Sequence, residues 1–151
     1  MNWAFDITVK NRKLLNHFLE NFSLEELNKV PDGFNNNIIW NFAHNIVTQQ
    51  LLCYKLAGKE MNINDEIVNQ FRKGTKPERI FTKDEIEMIK TSALELVSKT
   101  ENDLKTEDFS GYKPYTTSYN VTLNSIEEAV KFNNTHEGLH YGYAMAMKKL
   151  V

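Results

Sequence analysis

The chain carries four histidines, His17, His44, His136 and His140, and one cysteine, Cys53, so metal or nucleophilic chemistry has few places to reside. His136 and His140 stand one helical turn apart, the spacing at which two imidazoles grip one ion. At about 100° per residue they fall within an arc of roughly 140° that also holds Ile126, Ala129, Phe132, Leu139, Tyr143, Ala144, Met147 and Leu150, so both rings are expected to face the core. Two core histidines satisfied by backbone carbonyls would show the same pattern. His44 adds a third ring. It lies in the middle of the most apolar stretch, one turn from Trp40 and Thr48, and the middles of two core helices can face each other in a bundle. Three neutral donors leave an ion its full charge and open positions, as in catalytic sites; structural zinc sites are closed by four ligands, usually rich in cysteine. Cys53 lies about 13 Å beyond His44 along a helix axis, too far to join the same ion. His17 falls among Lys10, Lys13 and Glu20 on a polar flank and is expected to be solvated.

The string His136-Glu137-Gly138-Leu139-His140 also matches H-E-x-x-H, in which the glutamate acts as general base of a zinc hydrolase. That assignment wants a third ligand from downstream, yet 11 residues follow His140 and none is His, Asp or Glu. Glu137 is therefore expected at the helix surface or behind an imidazole, holding its tautomer, with a catalytic general-base role left open.

These side chains converge only if long helices carry them. The first helix is expected from near Thr8 to near Asn21, with Leu14, Leu15, Phe18, Leu19 and Phe22 on one side. Ser23-Leu24-Glu25-Glu26 has capping-box spacing and opens a short turn of helix that Pro31-Asp32-Gly33 ends. A second long helix should run from about Asn36 to Leu56, with an asparagine as N-cap and Gly58 as its stop; it is apolar almost all round, the mark of a helix covered on most sides. A short helix is expected over Asp65 to Phe71. Thr82-Lys83-Asp84-Glu85 is a second capping box and opens a third long helix to about Lys105, and Ser125-Ile126-Glu127-Glu128 is a third capping box that opens the last helix, to about Leu150. Residues 107–124 read as a structured crossing loop with room for a short strand. Together these elements predict an all-α four-helix bundle, one domain over residues 1–151, with extra short helices.

The balance of 18 basic against 20 acidic residues, net charge −2, provides no field for phosphate backbones or anionic lipid, which argues against nucleic-acid and membrane partners. No apolar run approaches the roughly 18 residues of a membrane span, the first residues lack an export pattern, and one cysteine makes no internal disulfide; a cytoplasmic protein is expected. A chain this long buries about 68–70% of its unfolded surface and needs no metal to fold. A bound ion is then free to do chemistry.

The run Asn37-Ile38-Ile39-Trp40-Asn41-Phe42-Ala43-His44 at the head of a long helix, the capped helix that follows, and the final Phe132-Asn133-Asn134-Thr135-His136-Glu137-Gly138-Leu139-His140-Tyr141-Gly142-Tyr143 resemble the DinB-like superfamily of small metalloproteins over nearly the whole chain. The resemblance implies an up-down-down-up bundle, often a homodimer, with a zinc- or nickel-like ion at one end held by His44, His136 and His140. It also implies kinship with bacillithiol- and mycothiol-dependent transferases and isomerases, other members being described only as metal-dependent hydrolases. On that expectation the chain is a thiol S-transferase: the ion lowers the pKa of a low-molecular-weight thiol such as bacillithiol, the thiolate attacks a small-molecule electrophile, and Trp40, Phe132, Tyr143 and Met147 wall the pocket. A hydrolase that activates water at the same ion, and a metal-binding module without catalysis, stand beside it.

Overall fold

A computed structural model describes all 151 residues. Four long helices build the bundle: α1 (Asn2–Asn21), α3 (Ile38–Cys53), α5 (Lys83–Thr106) and α6 (Ile126–Met147). Two short helices, α2 (Leu24–Asn28) and α4 (Asp65–Phe71), lie between them, and a 3-10 turn, Lys55–Ala57, extends α3 to Gly58, whose positive φ of 71° is the left-handed stop expected there. The crossing loop holds a two-residue antiparallel ladder, β1 (Tyr115–Thr116) with β2 (Thr122–Leu123).

Local chemistry sets the helix ends. Asn37 and Asn64 cap α3 and α4 through their side chains, and Ser23–Glu26 and Thr82–Glu85 close reciprocal capping boxes. Ser125 caps α6 but closes no box, because the Glu128 carboxylate accepts from the backbone N–H of Asn124 at 2.7 Å instead. Helix α1 starts at Asn2 rather than near Thr8. No side chain caps it, and the early turns are held by burial of Ala4, Phe5 and Thr8 on the stripe that continues through Arg12, Leu15 and Leu19. Leu14, expected inside, lies off that stripe and is 47% exposed.

Cross-helix pairs define the topology. Thr8 meets Asn134 and Arg12 meets Glu137, so α1 and α6 run parallel; Asn41 meets His140 while His44 meets His136, so α3 runs against α6. Gln49 meets Thr100 and Tyr54, at the end of α3, meets Asp103, while Arg12 meets Ala93 and Glu20 meets Lys90, so α5 runs with α3 and against α1. The bundle is therefore up-down-down-up, with each long helix packed on two neighbours. Its apolar interior forms two clusters, one around Leu15, Phe42, Phe71 and Met147 and one around Phe5, Leu52, Val97 and Ala129. Arg12, Asn45, Gln49, Asn133 and Glu137 form a buried polar group between the helices that carry both clusters.

The buried face of α6 runs through Val130, Asn133, Glu137, Ala144 and Met147. This is turned about 60° from the arc expected from apolar spacing alone. Leu139, Tyr143 and Leu150, expected in the core, are 42%, 49% and 49% exposed. Leu139 and Tyr143 are apolar because they line a cleft, and they drew the helical wheel toward it. The rotation leaves His136 and His140 at the edge of the buried face, half-covered, and carries Glu137 to its centre.

Candidate metal centre

Fourteen of the 16 residues of α3 are buried, and one of them is His44, at 5% exposure. The antiparallel neighbour α6 presents His136 and His140 to the same point. Ring centroids stand 5.1 Å apart for His44–His136, 4.8 Å for His44–His140 and 4.5 Å for His136–His140. One ring nitrogen from each lies within 4.8 Å of the other two, a group able to bind a metal ion. The structure thus brings together all three histidines singled out by spacing.

Backbone and amide acceptors orient two of the rings. Nδ1 of His44 lies 2.6 Å from the carbonyl oxygen of Phe71, which can only accept, so that nitrogen carries the proton. Nδ1 of His140 lies 2.7 Å from Oδ1 of Asn41, whose amide nitrogen donates to Asn37 O at 2.8 Å and so turns the oxygen to the ring. Both imidazoles are left with Nε2 as their lone-pair nitrogen, in the way metal-ligating histidines are fixed by the hydrogen bond at the far nitrogen. Thr48 Oγ1 stands 3.3 Å from Nε2 of His44, and Nδ1 of His136 is buried without a partner. A buried ring nitrogen with no hydrogen bond, beside two oriented ones, fits an ion.

Burial and mutual proximity keep the rings neutral. Desolvation, then the charges of His140, His44 and Arg12, pushes His136 down to about 2; desolvation, then His44, pushes His140 down to about 3. His44 is also lowered by burial, partly offset by its bond to Phe71. Neutral imidazole is the form that ligates.

Trp40 stacks on His44 with centroids 4.5 Å apart and planes 10° from parallel, and its Nε1 donates to Thr75 Oγ1 at 3.0 Å, so the indole is a fixed wall. The expected pocket wall is divided. Trp40, Tyr143 and Met147 line a wide cleft of about 940 Å³, whereas Phe132 lines a separate narrow cleft of about 310 Å³ under the crossing loop. His44 and His136 border both.

Glu137 is not on the helix surface. It is 0% exposed, and its Oε1 accepts from Arg12 Nη2 at 2.7 Å, Arg12 Nε at 3.0 Å and Asn133 Nδ2 at 2.7 Å. No histidine is hydrogen-bonded to it. His17 is exposed and pairs with Asn21 on its own helix. Cys53 is buried and free, and burial, with the Glu137 charge, pushes its thiol up to about 12, which makes it inert.

Reasoning from spacing missed Arg12, Asn41 and the Phe71 carbonyl. Arg12 was detectable: it sits at i+4 from Thr8 and i−3 and i−7 from Leu15 and Leu19, so a charge occupies the centre of an apolar stripe and must find a buried partner. Asn41, one turn before Asn45 and three residues before His44, carried a weaker signal, and a backbone carbonyl contributed by a different helix carried none.

An up-down-down-up bundle with three imidazoles converging where two clefts meet defines a helical-bundle protein of metal-binding type. The family model of the DinB superfamily matches residues 7–144, and the chain belongs to that superfamily. No curated protein matches it. No helix is long and apolar enough to cross a membrane.

Proposed function

We propose that the chain is a metal-dependent thiol S-transferase, with His44, His136 and His140 holding a zinc- or nickel-type divalent ion. The observation that carries this over hydrolysis is the lining of the two clefts, neither of which contains an aspartate or glutamate. Activating water at neutral pH benefits from a base to take its proton, and the one acidic residue within the histidine motif, Glu137, is committed to Arg12 in the core. A thiol, with a pKa near 8.5 against 15.7 for water, needs far less help. When bound, the ion supplies Lewis acidity that favours thiolate over thiol at neutral pH.

The chain's own residues do the rest. Asn41 and the Phe71 carbonyl fix the rings of His140 and His44, so their lone pairs converge without reorganisation. Trp40 walls the reacting centre on one side, and Tyr143, exposed at the mouth of the wide cleft, offers an aromatic face to substrate. In the overall reaction the thiolate sulfur forms a bond to an electrophilic carbon, the leaving group departs with the electron pair of the broken bond, and the thiol proton passes to solvent. Glu137 serves the fold. A thiol such as bacillithiol stays reduced in the cytoplasm, where this reading places the protein, as a homodimer.

Elemental analysis of purified wild type beside His44→Ala and His17→Ala tests the site: one equivalent of metal in wild type and His17→Ala, and little in His44→Ala, is the expected result. Conjugation of a chlorinated aromatic or a bimane should then require both thiol and metal. Turnover of an ester or amide without thiol would replace this reading with hydrolysis, and a metal-replete protein inert in both assays would leave a binding module.

A further inference from the structure

The narrow cleft has an internal order that the wide one lacks. On α3 and the 3-10 turn that extends it, His44, Thr48, Leu51 and Lys55 follow at intervals of four, three and four residues and so form one stripe. This stripe carries the cleft from the histidines to Lys55, about 16 Å away along the axis. On α6, Phe132 lies one turn from His136 and faces the same space, and the crossing loop roofs it through Tyr115 and Thr117. The walls between the ends are mainly apolar, from Leu51, Leu52 and Phe132, with the uncharged hydroxyl residues Thr48, Thr117 and Ser118 among them.

Charge is distributed unevenly along it. The charged side chains lining the narrow cleft are Lys55 at the far end and Lys73, which also borders the wide cleft. No carboxylate lines either, in a chain with 20 acidic residues and a net charge of −2, so this is not what composition alone would place there. The wide cleft differs: asparagines Asn35, Asn36 and Asn41 line it beside the aromatics, a surface suited to a polar molecule.

We propose that the narrow cleft is a channel for the second reactant, an elongated apolar molecule with an anionic tail. Its reactive end lies at His44 and His136, its body lies along Leu51 and Phe132, and its tail is held by Lys55. The thiol occupies the wide cleft, and the reactants meet at the two histidines that border both spaces. This assignment rests on the transferase reading for the thiol, but the channel itself is testable apart from it.

Octanoate is the probe, with octylamine as its charge-reversed counterpart. Calorimetric titration of the zinc-loaded protein should show octanoate binding one to one and octylamine at least roughly tenfold weaker. Lys55→Glu, an exposed position, should weaken octanoate by about tenfold or more, and Leu51→Trp should block it. Equal binding of the two probes, or octanoate affinity unchanged in Lys55→Glu, overturns the channel. In cobalt(II)-loaded protein the methyl end of octanoate should relax faster than the carboxylate end; the opposite order would mean that the carboxylate sits at the ion and would also overturn it. A protein that takes up no cobalt defeats the metal reading, while the same titrations on metal-free protein still decide the channel.

Discussion

Helix α6 places two kinds of buried polar group side by side, and they are treated in opposite ways. Glu137 is enclosed at 0% exposure, gripped by Arg12 from α1 and by Asn133 from its own helix. His136, its neighbour in sequence, has a buried Nδ1 that meets no partner, while the ring borders two clefts. Both insert polar atoms where a bundle would otherwise place leucine. In the ion pair the protein supplies the counter-charge; in the histidine cluster it supplies only lone pairs and their orientation. The difference teaches how a fold separates what it needs for itself from what it offers to a ligand: the first is held by three protein donors on one carboxylate oxygen and lines neither cleft, and the second borders both clefts with a ring nitrogen left short of a partner.

Breaking the closed member is expected to have the largest effect. Arg12→Ala or Glu137→Ala leaves an uncompensated charge among buried groups, which costs about 3–5 kcal/mol, read from urea unfolding midpoints. The double replacement Arg12→Met with Glu137→Leu should recover most of that, since a buried pair and an apolar pair of similar volume are often close in stability. The double variant should keep its metal. If it folds normally but loses metal or turnover, Glu137 belongs to the site after all and the division between the two groups fails.

Acidity probes the open member. In unfolded chain a histidine titrates near 6.5, whereas in the fold His136 and His140 hold out to about 2 and about 3. Below pH 6.5 the unfolded state therefore takes up protons that the native state refuses, and stability falls as pH falls. The contribution is fully present above 6.5 and declines by at most about 1.4 kcal/mol per pH unit for each ring. Metal-free protein should lose stability between pH 6.5 and 5, and His136→Ala should flatten that slope. The lowered carboxylate of Glu85, held at about 2 by Arg79, acts only below its ordinary 4.5 and so lies outside this window. A flat profile from 6.5 to 5 would mean that the rings are solvated.

The two groups were unequally visible in the sequence. Capping chemistry and 3.6-residue spacing located α2, α3, α4, α5 and α6 to within a few residues, because asparagine, serine and threonine at Ncap act locally. Helix α1 was cut short since its beginning depends on tertiary burial of Ala4 and Phe5, with no cap to announce it. The metal histidines were legible because they repeat at i and i+4 and there are few of them. Glu137 was misplaced because the wheel weighed Leu139 and Tyr143 as core, when their exposure beside the cleft is what makes them useful. Ligand-facing apolar residues and core-facing ones look alike until the neighbouring helix is known.

Asn41 sharpens the comparison at the smallest scale, since it joins the two modes. Its amide nitrogen closes on Asn37 O at 2.8 Å and reaches toward the Met147 sulfur, as a structural group does, while its oxygen turns His140 so that Nε2 is free. Asn41→Leu keeps the volume and removes the acceptor. The His140 ring then loses the bond that fixes its tautomer and rotation, and metal affinity should fall by about 10- to 100-fold, the range for losing such a partner behind a ligating histidine. Asn41→Asp, which keeps an acceptor at that position, should fall by much less. Competition against a chelator of known affinity measures both, and far-ultraviolet circular dichroism checks that α3 is intact. If Asn41→Leu and Asn41→Asp bind metal equally well, the orientation of His140 comes from packing against Trp40 and Tyr143 rather than from this hydrogen bond.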